Sequence, residues 1–161
     1  MSADVHGGDL FHTPGDGIHE DEIAVCPQGL TKLAEHGIPF SFIYRNHERH
    51  TGRRLMRRGI DDGPAVHLGP RYEGIQNTVA LYDSDHTPDW DKHVFDLEHP
   101  PENHPTILCV HQSMAPFTAS TNPDCSIQNV LHAPHIPLDV VVTGHTHARS
   151  EHRHNVTRLM G

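Results

Sequence analysis

Two short apolar runs, "TILCV" (106–110) and "LDVVVTG" (138–144), constrain the fold more than anything else in this chain. Both are rich in β-branched residues. Neither alternates with polar positions, as a strand with one wet face would, so both predict strands covered on two faces, of the kind found at the centre of parallel sheets. Parallel neighbours need a crossover between them, usually a helix. Helical stretches stand where crossovers are required. "PQGLTKLAEHG" (27–37) places Pro27 in a first turn, Leu30, Leu33 and Ala34 on one face, and Gly37 at the stop. "TGRRLMRRGIDDG" (51–63) predicts a short basic helix ending at Gly59, and "IQNVLHAP" (127–134) spaces Ile127, Val130 and Leu131 at i, i+3, i+4 before Pro134. "IPFSFIY" (38–44) alternates Phe40, Phe42 and Tyr44 and reads as a further strand, with fainter strand signals in "TVALY" (78–82) and "AVHL" (65–68). The Asp-, His- and Pro-rich stretch 83–105 reads as a surface loop. Strands alternating with helices predict an α/β sheet, in one domain over residues 1–161.

Composition narrows the function classes. A formal charge of −9 argues against a generally adhesive nucleic-acid binder. Three cysteines, Cys26, Cys109 and Cys125, form no CxxC and cannot all pair, which predicts a reduced, cytoplasmic protein. No apolar run approaches the roughly 20 residues that span a bilayer, so no membrane partner is expected. Histidine is the outlier, at 18 of 161 residues. At that frequency roughly two HxH pairs arise by chance, so His152-Arg153-His154 is read as background. A particular histidine matters only through its setting.

The setting is regular. "FSFIY" is followed by Arg45-Asn46-His47-Glu48, "TILCV" by His111-Gln112, and "DVVVT" by Gly144-His145-Thr146-His147. Ligands of open α/β sheets bind beyond the carboxyl ends of the strands. Imidazoles with amide and carboxylate oxygens suit divalent Mn, Fe or Zn, and two such ions can hold a phosphate ester and activate water. Asp9, after Gly8, is a candidate bridge between them.

These residues carry a resemblance. "GGDLFH" (7–12), "RNHE" (45–48), "CVHQS" (109–113) and "GHTH" (144–147) resemble, in order, the motifs of the calcineurin-like metallophosphoesterases. "GDLFH" is similar to that of the DNA double-strand-break repair nucleases of the bacterial SbcD and archaeal Mre type. The resemblance implies a sandwich of two β-sheets flanked by helices, and hydrolysis of phosphodiesters, above all in DNA. It implies two divalent ions, Mn first, with Fe, Zn or Mg as alternatives. Asp9 would bridge both ions, Asn46, His111 and His145 would bind the second, and His147 the first. His47 would serve as proton donor and His12 would place the DNA strand. It also implies a coiled-coil ABC-type ATPase partner, and leaves a homodimer open. The alternatives are a phosphatase or small-molecule phosphodiesterase of the same fold, or a chain that binds metal without turnover.

The sequence departs from this family twice. Arg45 stands where the motif has glycine, which either distorts that loop or holds a phosphate. The family's D-x-H and GD motifs end two different strands, whereas Asp4 and Asp9 are only five residues apart. "ADVHGGD" is therefore expected to be a single strand ending at Asp9, with Asp4-Val5-His6 an imitation of D-x-H. On that expectation the first ion keeps only Asp9 and His147, and the chain resembles an internal piece of a nuclease domain, incomplete at both ends. Six arginines, at 45, 49, 53, 54, 57 and 58, fall within fourteen positions beside Asn46 and His47. Their forks suit phosphate oxygens, with Arg49 and Arg53 the candidate substrate contacts. A solvated basic helix is the alternative. His6, His19, His36, His50, His67, His86 and His93 are read as surface or loop histidines.

Overall fold

The computed structural model describes residues 4–8, 10–11, 19–44, 50–63, 65–71, 73–75, 79–85, 90, 96–118, 121–132, 134–145, 151–154 and 157–160. It is a mixed α/β structure of two compact units, Met1–His67 and Leu68–Gly161. Among the described residues no helix is long and apolar enough to cross a membrane.

The first unit holds a parallel three-stranded sheet, ordered β1 (Asp4–His6), β2 (Phe40–Phe42), β3 (Ala65–His67). Strand β1 ends at His6, short of the expected Asp9, and Gly8 follows with φ +90°, a left-handed turn that only glycine adopts at no cost. Asp4, Val5 and His6 do lie on one strand, as expected. His6 and His67 are strand residues and not loop histidines.

Helix α1 (Glu20–Glu35) begins seven residues before the expected start, so Pro27 is inside it and not in its first turn. Three acids, Glu20, Asp21 and Glu22, complement the positive end of the helix. The Glu22 carboxylate accepts the His19 backbone N–H at 3.1 Å, half of a capping box. The other end closes as expected at Gly37, with φ +63°. Gly37 N–H donates to the Ala34 carbonyl and Ile38 N–H to the Leu33 carbonyl, both at 2.9 Å, which is a Schellman motif.

Helix α2 (His50–Asp61) continues past Gly59. A Cβ at Gly59 would lie 2.7 Å from Leu30 Cδ1 and 3.3 Å from Ala65 Cβ, so the glycine permits close approach of α1 and β3, and does not end the helix. Gly63, with φ +95°, follows the helix end. The core here is aromatic: Phe11, Phe40, Phe42 and Tyr44 pack with Leu30, Leu55, Met56 and Ala65. Ser41 is buried as well, so β2 is covered on both faces although its pattern alternates.

The second unit is built on a six-stranded sheet. Its strands are β4 (Glu73–Ile75), β5 (Val79–Ser84), β6 (Thr106–Val110), β9 (Val140–Thr143), β10 (Glu151–His154) and β11 (Thr157–Met160), in the order β10-β11-β9-β6-β5-β4. Strands β5, β6, β9 and β11 are parallel; β4 and β10 run antiparallel at the edges. A two-stranded pair, β7 (Met114–Ala115) and β8 (Cys125–Ser126), precedes helix α3 (Ile127–His132). The core gathers Ala80, Tyr82, Leu108, Val110, Val130 and Val141 with Trp90 and Leu97. Residues 83–105 are thus not a plain surface loop: Asp83 and Ser84 extend β5, and Trp90 and Leu97 are buried. Tyr82 donates its hydroxyl to the Glu98 carbonyl at 2.8 Å.

The parallel register is pinned at the amino ends of β6 and β9. Asp139 accepts the Thr106 N–H at 2.8 Å, and Thr106 Oγ1 donates to the Pro137 carbonyl at 2.7 Å. This sets which residues emerge side by side at the other end.

Candidate metal centre

Ser84 pairs with Val110, and Val110 with Thr143. The next residues along these strands are Asp85, His111 and Gly144. Three adjacent parallel strands therefore finish on one row, and their following residues share the carboxyl edge of the sheet. Pairing continues one step further, with Gly144 N–H donating to the Val110 carbonyl at 2.9 Å.

His111 has no exposed surface, whereas His145 is exposed. His145 has φ +80°, a left-handed conformation uncommon for a side-chain-bearing residue and characteristic of functional sites. That turn brings its ring to His111. The rings meet edge to face at 4.9 Å, and His111 Nε2 lies 3.0 Å from His145 Nδ1. In neutral imidazoles one of these nitrogens must donate and the other accept. The same spacing suits shared coordination. Metal–nitrogen bonds of about 2.1 Å at right angles place two ligand nitrogens roughly 3 Å apart.

The turn that carries His111 is fixed from below. Asp124 Oδ2 accepts both the Ser113 N–H at 2.8 Å and the Ser113 hydroxyl at 2.9 Å, and Asp124 N–H donates to the Ser113 carbonyl at 2.8 Å. Thr143 Oγ1 lies 3.3 Å from the Gln112 carbonyl, tying the end of β9 to the same turn. Ligands held by a second layer of hydrogen bonds lose little freedom when an ion binds.

Of the expected site residues, His111 and His145 come together. Asp9, His12, Asn46, His47, Arg49 and His147 lie outside the described residues, as does Arg45. Arg53 is on α2, exposed, with its guanidinium 4.7 Å from the centre of the Tyr44 ring.

With this geometry established, comparison with known proteins adds a relationship. The chain is 28% identical over 148 residues to the DNA double-strand break repair protein Mre11 of Haloferax volcanii. The match covers 91% of this chain and 32% of that protein, so the chain spans about a third of its relative's length. The likeness indicates a distant relationship to a DNA-repair protein. No family model matches. A crystal structure aligns with a TM-score of 0.57 at 10% identity, over 86% of this chain and 63% of its own, which speaks to the α/β fold alone.

Sequence reasoning missed one acidic feature at the same edge. Asp83, 4% exposed, ends up inside the sheet, and its carboxylate lies within 4.8 Å of that of Asp85. Burial foremost, then the Asp85 charge, pushes Asp83 well above the usual carboxylate range. Cys109, its partner across β6, is pushed up to about 12 by burial and by Asp83. The available signal was the polar cluster "DSD" after "TVALY", the same strand-then-ligand pattern read elsewhere.

Proposed function

We propose that the chain is a metal-dependent phosphodiesterase of the DNA-repair nuclease type, with a single metallophosphoesterase domain over 1–161 built as a two-sheet sandwich. The observation that carries this reading is the 3.0 Å approach of His111 and His145 at the carboxyl edge of parallel strands. Support comes from the four ordered motifs, and from the relationship to a protein named for double-strand break repair. In this proposal Asp9, Asn46, His111, His145 and His147 hold two divalent ions of the Mn class. When bound, such ions polarise the phosphoryl oxygens and lower the pKa of water. His47 gives a proton to the leaving oxygen, a role typically worth about 10²–10⁴ in rate. His12 positions the DNA strand. Arg49 and Arg53 offer forks to backbone phosphates, which position DNA without reading its sequence. A coiled-coil ATPase subunit as partner, and a cytoplasmic location, belong to the same proposal.

The test is hydrolysis of linear duplex and single-stranded DNA, beside a small aryl phosphodiester, with and without Mn²⁺. The proposal expects weak Mn-dependent DNA cleavage, because the first ion keeps only Asp9 and His147, and expects Asp9→Ala to abolish it and His47→Ala to lower it at unchanged metal content. Cleavage of the small ester alone would assign the chain to small-molecule hydrolysis. Cleavage of neither, with Mn²⁺ bound, would make it a metal-binding chain without turnover.

A further inference from the structure

Asp124 belongs to none of the motifs of the proposed site. Among the described residues its carboxylate meets Ser113, two residues after His111. One oxygen, Oδ2, accepts the Ser113 backbone N–H at 2.8 Å and the Ser113 hydroxyl at 2.9 Å. The Asp124 N–H donates in return, to the Ser113 carbonyl at 2.8 Å and to Ser113 Oγ at 3.0 Å. Hydrogen bonds to a carboxylate are roughly twice as strong as neutral ones. This reciprocal lock stands where the backbone ladder alone holds little. β7 and β8 are parallel, paired at Met114–Cys125 and Ala115–Ser126, and residues 116–124 join them. Parallel neighbours need a connection of about a dozen residues or more, so this tight joint depends on bonds outside its own ladder.

The lock bears on His111 because the backbone is then fixed on both sides of that residue. Before it, β6 pairs with β5 and β9. After it, the Gln112 carbonyl lies 3.3 Å from Thr143 Oγ1, and Ser113 is clamped by Asp124. His111, Gln112 and Ser113 are all buried, so turning the ring away requires this close-packed turn to open. We infer that Asp124 is a positioning residue of the metal centre. Acting through Ser113, it holds the turn after β6 so that His111 Nε2 stays 3.0 Å from His145 Nδ1 and both nitrogens face one ion. The inference rests on the reading of His111 and His145 as ligands, and adds to it a residue that acts only through the backbone and side chain of another.

The experiment is Mn²⁺ titration calorimetry on the full chain, as wild type, Asp124→Ala, Asp124→Asn, Ser113→Ala and His111→Ala, with NMR of the histidine rings in the metal-free proteins. Asp124→Ala should weaken Mn²⁺ binding by about 10–100-fold. It should also shift the ring signals of His111 and His145 while those of the exposed His132 and His135 stay in place. Asp124→Asn keeps an oxygen that can accept both bonds and should restore most of the affinity. Ser113→Ala loses one of the two donors and should fall between; these two variants carry the test if Asp124→Ala folds poorly. Unchanged Mn²⁺ affinity in the Asp124 and Ser113 variants, beside weakened binding in His111→Ala, would overturn the positioning role and leave the ligand reading standing. Weakened binding with unmoved His111 and His145 signals would overturn it too, because the effect would not pass through His111. Unchanged binding in His111→Ala would overturn the ligand reading and the inference with it.

Discussion

Strands β2 and β6 are both buried parallel strands, yet their carboxyl ends carry different chemistry. β2 runs on through buried Ile43 and Tyr44. There the rings of Phe42, Tyr44 and His67 cluster, with Tyr44 and His67 4.4 Å apart and the Arg53 guanidinium over Tyr44. β6 runs on into His111, Gln112 and Ser113, all polar and all buried, with Asp83 buried next to Cys109. The first arrangement is stabilised by its own packing. The second places polar groups where burial costs free energy unless each is matched. Packing alone explains the described end of β2, whereas the end of β6 buries a polar run whose His111 meets His145, at the edge where the metal centre is proposed.

That contrast predicts a ranking of substitutions. Phe42→Ala, in the aromatic core of the first unit, should have the largest effect on stability, lowering it by about 3–5 kcal/mol in denaturant unfolding. A loss under about 1 kcal/mol would show that the described packing does not hold this unit together.

Asp83→Asn should act in the opposite direction in metal-free protein. Burial raises the Asp83 pKa in the folded state above its unfolded value. The folded state therefore binds the proton more tightly, and its advantage, complete below the unfolded pKa near 4, is lost as pH rises through the folded pKa. Wild-type stability should fall relative to the asparagine variant between those limits. Thermal melts of both proteins from pH 4 to 8 would check it, and parallel curves would contradict the burial argument.

Arg53→Ala should change stability least. An exposed cation–π contact is worth about 0.5–1 kcal/mol, so the variant should unfold nearly as the wild type does. Under the proposed function its effect would fall on DNA affinity, read as a weaker salt dependence of binding.

The legible and illegible parts of the sequence divide on the same physics. "TILCV" is β6 residue for residue, because continuous β-branched runs have few other uses. Helix α3 also lies where Ile127, Val130 and Leu131 point to it. Strand β5 was clear only as far as Tyr82, since Asp83 and Ser84 are poor strand formers that the neighbouring strands nevertheless hold in register. Pro27 misled because proline favours a first turn; the true start at Glu20 rests on three acids and Glu22 bonding back to His19, an N-cap residue with little intrinsic preference. Gly59 misled because a glycine needed for close helix packing is written with the same letter as one that ends a helix. Strand-end position singled out His47, His111, His145 and His147 among eighteen histidines, and of these the two that are described, His111 and His145, lie 3.0 Å apart. It passed over Asp83 and Asp85, which follow the fainter strand.

The central claim is that His111 and His145 share one divalent ion at the end of the second unit's parallel sheet. Mn²⁺ titration of the wild type, His111→Ala, His145→Ala and a His152→Ala control tests it most directly. The account predicts that the same single Mn²⁺ is weakened in both of the first two variants and untouched in the control. Equal Mn²⁺ affinity and stoichiometry in all four proteins would contradict it.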